Sequence, residues 1–269
     1  MRHLALALAL FGIGVVSLPA HARAHSVQIH ASCSVDSDYD VAIRDDGIQF
    51  TRNDGSPRQV FMHDGQLRVD GQPLAVSAGD ATRLRLYEAN VRALLPQVAQ
   101  LARDGIGIGF DALATVAGTF TDSPDERSQM MRQLAEQRRQ MLGKIDQGIG
   151  HGRWQQHDLD QMMDEDLGDA VSTLVSTVAS RAVKAALSGD QSQVAALEAR
   201  ARSLQNSIEK AVEAPAERLG KRAEALCPRL VELDQLQQQL SLRLPDGKPL
   251  QLMSMERAHA QTVAQTQLP

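Results

Sequence analysis

The stretch VAALEARARSLQNSIEKAVEAPAERLGKRAEALCPRLVELDQLQQQLSL, residues 194–242, is a long helix-forming run that decides the predicted fold. Its apolar residues recur at alternating steps of three and four, which places them along one stripe of a helix. They are Val194, Leu197, Ala201, Leu204, Ile208, Ala211 and Pro215, and after Gly220 they resume at Leu226, Leu230, Leu233 and Leu240. Such a stripe must be covered, so we predict a long helix packed on other elements of the chain.

The N-terminus has the parts of a secretory signal peptide. A short basic start precedes an apolar run at residues 4–16, which is too short to span a bilayer. The sequence Ala-His-Ala at residues 20–22 then offers the small residues that a signal peptidase accepts, with Ala-Arg-Ala at residues 22–24 as an alternative. We therefore predict that residues 1–22 are removed and that the protein is exported.

The mature chain is acidic and poor in aromatic residues. The sequence has 28 Lys and Arg against 33 Asp and Glu, and residues 1–22 contain one Arg, so 27 basic residues face 33 acidic ones, a net charge of about −6. This balance argues against nucleic acid as a partner, because nucleic acid selects basic surfaces. An aromatic content of 3% suits helices packed on helices. The mature sequence indicates no transmembrane segment and no cofactor.

Cys33 and Cys227 are the only cysteines, and they lie 194 positions apart. In an exported chain, two cysteines form a disulfide more often than a metal or redox site. We predict a disulfide that joins an N-terminal sheet to the C-terminal helix. Closing so long a loop stabilises a fold by about 5 kcal/mol in the chain-entropy model. Two unpaired thiols and an intermolecular bridge are the alternatives.

Residues 27–76 have a sequence period close to two, which indicates strands. Asp-Gly pairs, which favour the positive φ angles of tight hairpin turns, recur at residues 46–47, 54–55, 64–65 and 70–71. A calcium site is the alternative for these pairs, but their spacing matches no calcium loop. The predicted strands are Val41–Arg44, Ile48–Arg52, Gln59–His63, Gln66–Val69 and Gln72–Val76, connected as a meander.

Helical periodicity accounts for most of the remaining chain. The predicted helices are Ala81–Asp104, Phe110–Phe120, a helix from Ser123 to Asp146, and Asp158–Leu187. Asp80 is the predicted cap of the first helix, and Pro96 is predicted to kink it. The glycine-rich residues 105–109 are predicted as a connection between helices. A nucleotide site is the alternative, but the spacing is G-x-G-x-G and it follows a helix instead of a strand.

The predicted fold class is α+β, with a small N-terminal antiparallel β meander packed on a mostly α-helical bundle with long helices. The sheet must lie on the helices, because so small a sheet is not stable alone. We predict the signal peptide at 1–22, the meander at 23–78, the helical bundle at 79–243 and a mobile tail at 244–269.

One cluster of side chains suggests metal chemistry, namely His151, His157, Asp158, Asp160 and Asp164. His157, Asp160 and Asp164 share a helix face and are candidate ligands of a divalent metal. We favour the alternative of a solvated acidic helix start, which the helix dipole stabilises. The sequence has no H-E-x-x-H or G-x-S-x-G motif, so no catalytic residue is predicted and an enzyme is not favoured.

The order and spacing of scattered residues resemble a known family. The pattern begins with Cys33-Ser34-Val35 and Asp64-Gly65-x-Leu67-x-x-Asp70-Gly71-x-x-Leu74, continues with Tyr87, Arg92 and Leu95-Pro96, and ends with Cys227-x-Arg229-x-Val231-x-Leu233. It resembles the YggN-like family of periplasmic proteins of unknown function (DUF2884), which are envelope proteins of gammaproteobacteria. The resemblance implies a periplasmic location and the two-cysteine plan. It implies no activity and no site residues.

Three functions are consistent with these features. The first is a non-enzymatic binding or scaffold protein of the cell envelope, which holds an unidentified protein or peptide partner on exposed helix surface. The second is a periplasmic holding chaperone or lipid carrier, with methionine-lined helices around apolar cargo. The third is a metal-dependent hydrolase centred on His157. The oligomeric state stays open, since a coiled-coil dimer through residues 194–208 is an alternative to the favoured intramolecular packing.

Overall fold

The computed structural model describes residues 26–29, 33–121, 123–155, 168–187 and 191–256. Its strands are β1 (Ser26–Ile29), β2 (Cys33–Asp36), β3 (Asp40–Arg44), β4 (Gly47–Thr51), β5 (Gln59–His63), β6 (Gln66–Val69), β7 (Gln72–Leu74), β8 (Arg153–Trp154) and β9 (Ser254–Glu256). Its helices are α1 (Ala78–Phe120), α2 (Pro124–Gln147), α3 (Gly168–Leu187), α4 (Gln191–Ile208), α5 (Ala214–Glu224) and α6 (Cys227–Gln238). An antiparallel sheet followed by long helices confirms the predicted α+β class.

The strands form two antiparallel sheets. The larger has the order β7-β6-β5-β4-β3-β8, in which β3 to β7 form the predicted meander with ends within two residues of those predicted. The smaller has the order β1-β2-β9 and pairs the two ends of the described chain, with Val35 opposite Met255. The sequence does not predict β1, β2, β8 or β9, because they have two to four residues each and two of them pair with distant segments.

Two of the Asp-Gly pairs form the predicted tight hairpin turns. Asp64 and Gly65 have φ angles of 46° and 77°, and Asp70 and Gly71 have φ angles of 48° and 81°. Positive φ at both central residues is the turn geometry that matches the twist of a hairpin. A Cβ atom on Gly65 would lie 2.6 Å from the carbonyl oxygen of Ala81, so this turn packs directly on the start of α1.

The first long helix, α1, runs for 43 residues without interruption. The predicted connection at residues 105–109 is therefore wrong. Each glycine costs a helix about 1 kcal/mol, but α1 packs against each of the described helices α2 to α6, and this packing outweighs local preference. A Cβ atom on the buried Gly107 would lie 3.1 Å from the guanidinium of Arg138, so the glycine permits a close approach of α2. Pro96 lies on the exposed side of α1.

The helices α2 and α3 agree with the sequence where they are described. Ser123 caps α2, because its Oγ accepts a hydrogen bond of 3.4 Å from the N–H of Glu126, as the Ser-Pro start predicts. The predicted helix that includes α3 also contains residues 158–167, which lie outside the described residues. Among the described segments, no helix is both long and apolar enough to cross a membrane.

The long C-terminal run is helical without a gap from residue 191 to residue 224, although the helix widens into a π-helical turn between α4 and α5. A π-helical segment, Glu209–Glu213, follows α4, and at its end the N–H of Ala214 donates to the carbonyl oxygen of Glu209. The next residue, Pro215, has no N–H to donate to a helical hydrogen bond. The π-helical turn therefore ends directly before this proline. A turn at residues 225–226 then separates α5 from α6. The predicted leucines Leu226, Leu230 and Leu233 are buried as expected.

The core consists of two clusters of buried apolar side chains. The first joins the larger sheet, the first half of α1, α6 and residues 240–253, and the second joins the remainder of α1 to α2 and α3. Residues 240–256, here named the C-terminal strap, contribute the buried side chains of Leu240, Leu242, Leu244, Leu250, Leu252 and Met253. Residues 244–256, which belong to the tail predicted to be mobile, therefore place four side chains in the core. The strap packs into the core and ends as β9.

Candidate functional site

The space between α2 and α3 is the candidate functional site. Both helices pack against α1, and a groove of about 470 Å³ remains open between them. It is lined by Gln129, Met130, Arg132, Gln133, Leu134, Glu136, Gln137 and Gln140 of α2 and by Leu174 of α3. We name it the α2–α3 groove. Its volume lies in the range of ligand-binding clefts in proteins, which is roughly 300–1,000 Å³.

The α2–α3 groove has an apolar floor and a polar wall. Leu134 and Leu174 are buried, and Met130 is half-buried in the same cluster. Three glutamines on α2 recur every four residues, the spacing that aligns side chains in one row along a helix. This row, here named the glutamine row, consists of Gln129, Gln133 and Gln137. The floor and the row run side by side, because each floor residue of α2 directly follows a glutamine of the row in sequence.

The positive and negative charges of the groove nearly cancel. Glu136 Oε1 accepts a hydrogen bond of 2.9 Å from Gln140 Nε2, and Glu136 Oε2 accepts one from the guanidinium of Arg139. The hydrogen bonds from Gln140 and Arg139 hold the pKa of Glu136 below its usual range. Glu136 is therefore an ionised acceptor at neutral pH, and the exposed Arg132 supplies the opposite charge. The groove does not select a ligand by net charge.

The outer side of α3 presents an uncovered apolar surface. Its large exposed side chains are Val171 (41%), Val175 (59%), Val183 (57%) and Leu187 (83%). Val171 and Val175 are one helical turn apart and form a pair, whereas Val183 and Leu187 form a second pair that is rotated by roughly 120° around the helix. We name Val171 and Val175 the α3 apolar face. It adjoins the groove, because the groove residue Leu174 lies between Val171 and Val175 in sequence. Exposed apolar side chains beside an apolar groove are typical of an interaction site.

A second groove, of about 340 Å³, lies where the C-terminal strap meets the sheet. Three of its polar side chains bond backbone carbonyl groups. Tyr39 Oη and Arg52 Nε both donate to the Pro57 carbonyl oxygen, at 3.0 Å and 2.9 Å, and Ser37 Oγ donates to the Leu252 carbonyl oxygen at 2.7 Å. Burial raises the pKa of Tyr39, an effect that the charge of Arg52 partly offsets. The bond from Ser37 holds the strap, and the other two hold the segment before β5, so we assign this groove a structural role.

Gln237 fixes the C-terminal strap to α6. Its buried side chain accepts hydrogen bonds at Oε1 from the N–H groups of Leu252 (2.6 Å) and Met253 (3.1 Å). Its Nε2 donates to the carbonyl oxygen of Met253 at 2.9 Å. One glutamine amide therefore bonds both backbone groups of Met253, as a neighbouring strand would.

The Gln237→Ala variant is expected to loosen the strap and to lower the free energy of unfolding by about 2 kcal/mol, since buried backbone groups lose their partners. Urea denaturation measures the loss, and hydrogen exchange should accelerate at residues 250–256. Gln238→Ala is the matched control, because the exposed amide of Gln238 bonds only Asp234, at 2.7 Å, in the described part of the chain. Equal effects of the two variants would contradict the role of Gln237.

The buried carboxyl group of Asp80 joins the start of α1 to the strap. The N-cap of α1 is Ser77, whose Oγ accepts a hydrogen bond of 3.1 Å from the N–H of Asp80, so the predicted cap at Asp80 is wrong. The Asp80 carboxylate accepts bonds from Ser241 N (3.0 Å) and Ser241 Oγ (2.6 Å). Burial acts to raise the pKa of Asp80, but the hydrogen bonds from Ser241 and Ser77 and the charge of Arg83 outweigh it and lower the pKa.

A second buried carboxylate, Glu88, joins α1 to the β5–β6 turn. It accepts hydrogen bonds from the N–H of Asp64 (3.0 Å) and from Arg92 Nη2 (2.8 Å), and His63 Nδ1 lies 3.5 Å away. Burial acts to raise the pKa of Glu88, and the bonds from Arg92 and Asp64 lower it overall. Asp80 and Glu88 are thus ionised structural groups, unlike a catalytic acid, whose pKa is raised towards neutrality.

The predicted metal ligands His157, Asp160 and Asp164 lie outside the described residues, as does Asp158, so the metal site stays a prediction. His151 lies in the short 3₁₀ helix after α2, where it is exposed and its Nδ1 contacts the carbonyl oxygen of Asp146. Within the ranges that the structure describes, no three His, Cys, Asp or Glu side chains are grouped so as to hold a metal ion.

The sequence pattern predicts the helix that contains Leu134, but it does not indicate the α2–α3 groove. The groove depends on how far apart α2 and α3 lie on α1, which is a tertiary property. The one available signal is the row of glutamines at every fourth position, next to Met130 and Leu134. Such a row is also typical of a solvated helix face, so it does not identify a site without the groove.

Comparison with known proteins identifies the family of this α+β protein. The chain matches the family described as Protein of unknown function (DUF2884) over residues 33–253, and it belongs to that family. The match extends from β2 to the last residue before β9, so it includes the sheet, the helices and most of the strap. No curated protein and no solved structure matches the chain. The predicted resemblance to the DUF2884 family is thus confirmed.

Proposed function

We propose that this protein is a non-enzymatic binding protein of the cell envelope, which holds a partner on the surface formed by the α2–α3 groove and the α3 apolar face. The observation that carries the proposal is an open groove with an apolar floor that adjoins two exposed valines on α3, Val171 and Val175. Exposing such side chains to water is unfavourable, so their place beside an apolar groove is typical of a docking site.

The chemistry of the described titratable groups supports binding over catalysis. Asp80, Glu88 and Glu136 all have lowered pKa values, because each accepts hydrogen bonds from neighbouring groups. A general acid or base that works near neutral pH needs a pKa shifted towards neutrality. The groove itself contains amides, aliphatic side chains and one charge of each sign. These groups suit recognition of a partner.

The proposal also includes export to the periplasm and a disulfide between Cys33 and Cys227. The signal-peptide pattern of residues 1–22 supports export. Cys227 is half-buried against the first core cluster, and none of the described cysteines is a free thiol. α5 contacts β1 and α6 contacts β9, and Cys227 is the first residue of α6. A disulfide at this position would join the two ends of the fold.

Site-specific photocrosslinking in cells tests the proposed surface. A photoreactive residue at Gln133 or Val175 is expected to capture one discrete partner, and the same residue at the exposed Gln238 of α6 is expected to capture none. A Val175→Asp substitution combined with the probe at Gln133 should abolish capture, since it replaces an apolar contact beside the groove by a hydrated carboxylate. Capture that is equal at all three positions would contradict the proposal. Lipid bound to protein purified from the periplasm, found by native mass spectrometry, would favour the carrier alternative.

A further inference from the structure

We infer that the α2–α3 groove binds an extended polypeptide segment, whose backbone is recognised by the glutamine row and whose alternate side chains pack on the apolar floor. The inference rests on the proposed function, because it names the class of partner that the same surface takes. It assigns separate roles to the two walls of the groove. The glutamine amides recognise backbone, and Met130, Leu134 and Leu174 recognise apolar side chains.

The spacing of the glutamine row matches that of an extended chain. Residues four apart on a helix are separated by about 6 Å along its axis. Residues two apart in an extended strand are separated by about 6.7 Å. Over the two intervals from Gln129 to Gln137 the mismatch is about 1.4 Å, which the three rotatable bonds of each glutamine side chain can absorb. Successive glutamines of the row can therefore contact successive alternate residues of the bound segment.

The hydrogen-bonding groups of the glutamine row also match the backbone groups of an extended chain. In an extended strand, the N–H and C=O of one residue point to the same edge, and those of the next residue point to the opposite edge. A glutamine amide offers one acceptor oxygen and one donor nitrogen, so it can bond both groups of one residue. Gln237 makes this very pair of bonds to Met253 within the fold, at 3.1 Å and 2.9 Å. The proposed contacts repeat an arrangement that the protein already contains.

The three amides of the row are available for such contacts. Gln129 and Gln133 are exposed and Gln137 is half-buried, and in the described part of the chain none of the three makes an internal hydrogen bond. The amide of Gln140 donates to Glu136 instead, so the row ends at Gln137. Three amides at alternate residues predict a bound segment of about five residues.

An extended chain fits the groove better than the other apolar occupants. A lipid acyl chain has no polar groups along its length, and a helix, including α3 of a second copy, has already bonded its own backbone groups. Either occupant would cover the glutamine row without bonding it, and desolvated amides without partners are unfavourable. Only an extended polypeptide presents donors and acceptors at every second residue beside alternating side chains.

Fluorescence anisotropy with a labelled nonapeptide tests this inference. In the peptide, Val and Leu alternate with Ser and Lys, and both termini are blocked. We expect saturable binding to the full-length protein, and we expect the Gln133→Ala/Gln137→Ala double variant to raise the Kd about tenfold. Gln97→Ala/Gln100→Ala is the matched control and should leave the Kd unchanged, because these α1 amides bond Ala93 and Asp104 of their own helix. Thermal melts should show that both variants are folded.

Two N-methylated analogues of the peptide sharpen the test. One carries methyl groups on the backbone nitrogens of odd residues and the other on those of even residues. Because successive N–H groups point to opposite edges, we expect one analogue to lose binding and the other to keep it. Equal binding of both analogues and the parent would overturn backbone recognition. So would tight binding of a fatty-acid probe that the glutamine substitutions leave unchanged. Crosslinks at Gln133 and Val175 would in either case still support the binding surface itself.

Discussion

The Asp80→Ala variant is expected to lose about 3 kcal/mol of unfolding free energy, because the backbone N–H and the hydroxyl group of Ser241 lose a charged acceptor. Both donors belong to Ser241 and lie 3.0 Å and 2.6 Å from the Asp80 carboxylate. Asp80 is 1% exposed, so its truncation also leaves a cavity at this contact. Urea denaturation at pH 7 measures the loss.

The control for this prediction separates the loss of the Asp80–Ser241 hydrogen bonds from the effect of the cavity that the alanine leaves. The Ser241→Ala variant and the Asp80→Ala/Ser241→Ala double variant complete a double-mutant cycle, which should show an interaction free energy of more than about 1 kcal/mol. Independent, additive losses would show that Asp80 acts through packing alone. The exposed Asp125 in the first turn of α2 provides a matched substitution, Asp125→Ala, with an expected effect below about 0.5 kcal/mol.

The same carboxyl group predicts how stability depends on pH. Since the pKa of Asp80 is lower in the folded protein than in the unfolded chain, its contribution is complete above the unfolded value of about 3.9. The contribution is lost as the pH falls through the folded value. Between pH 5 and pH 2, the unfolding free energy of the wild type should therefore fall more steeply than that of Asp80→Asn. Parallel curves would contradict a lowered pKa.

The Cys227→Ser variant is expected to show the largest loss, about 5 kcal/mol, if its partner is Cys33 as proposed, because the bond would close a very long loop in the unfolded chain. The measurement is urea denaturation of the mature protein purified from the periplasm. Reduction of the wild type should produce a similar loss, and the same reductant should leave the stability of Cys227→Ser unchanged.

Thiol labelling is the direct control for the disulfide. In denatured but unreduced wild type, neither Cys33 nor Cys227 should react with iodoacetamide, and after reduction both should react. Two labelled thiols before reduction would contradict the bond. A reducible dimer on a denaturing gel would show that it is intermolecular. Peptide mass spectrometry of the mature chain would at the same time locate the cleavage site, expected after residue 22.

If the peptide experiments succeed, the protein is a receptor for extended chain segments. The α3 apolar face would then extend the floor for longer segments, because it adjoins Leu174 at the edge of the groove. Such a surface is compatible with the holding-chaperone alternative, which requires the same recognition of backbone and apolar side chains without selection by charge. A receptor would bind one partner and a holding chaperone would bind many. Crosslinking at Gln133 would count these partners.

Much of the fold was predictable because it depends on neighbours in sequence. The hairpin turns at Asp64-Gly65 and Asp70-Gly71 require positive φ angles that this dipeptide adopts readily, and both pairs form them. The start of α2 follows from the hydroxyl of Ser123 and the proline after it. The α+β class follows from the change of period after the last strand.

The errors fall where distant segments decide the outcome. Residues 105–109 are helical despite three glycines, because α1 packs on other helices along its length. Leu240, Leu242 and Leu244 alternate as in a strand, but their burial depends on a place in the core between the sheet and α6. The bond from Asp80 to Ser241 spans 161 positions, so no local pattern indicates it.

The candidate site shows the same division. Local sequence is sufficient for the two Asp-Gly turns, the cap of α2, the signal-peptide pattern and the row of Gln129, Gln133 and Gln137 on one side of α2, because each depends on residues at most a few turns apart. The tertiary structure alone decides that α2 and α3 leave a groove beside that row, that α1 continues through its glycines, and that the strap enters the core. These features depend on the free energy of packing segments that are far apart in the chain, which no single stretch of sequence contains.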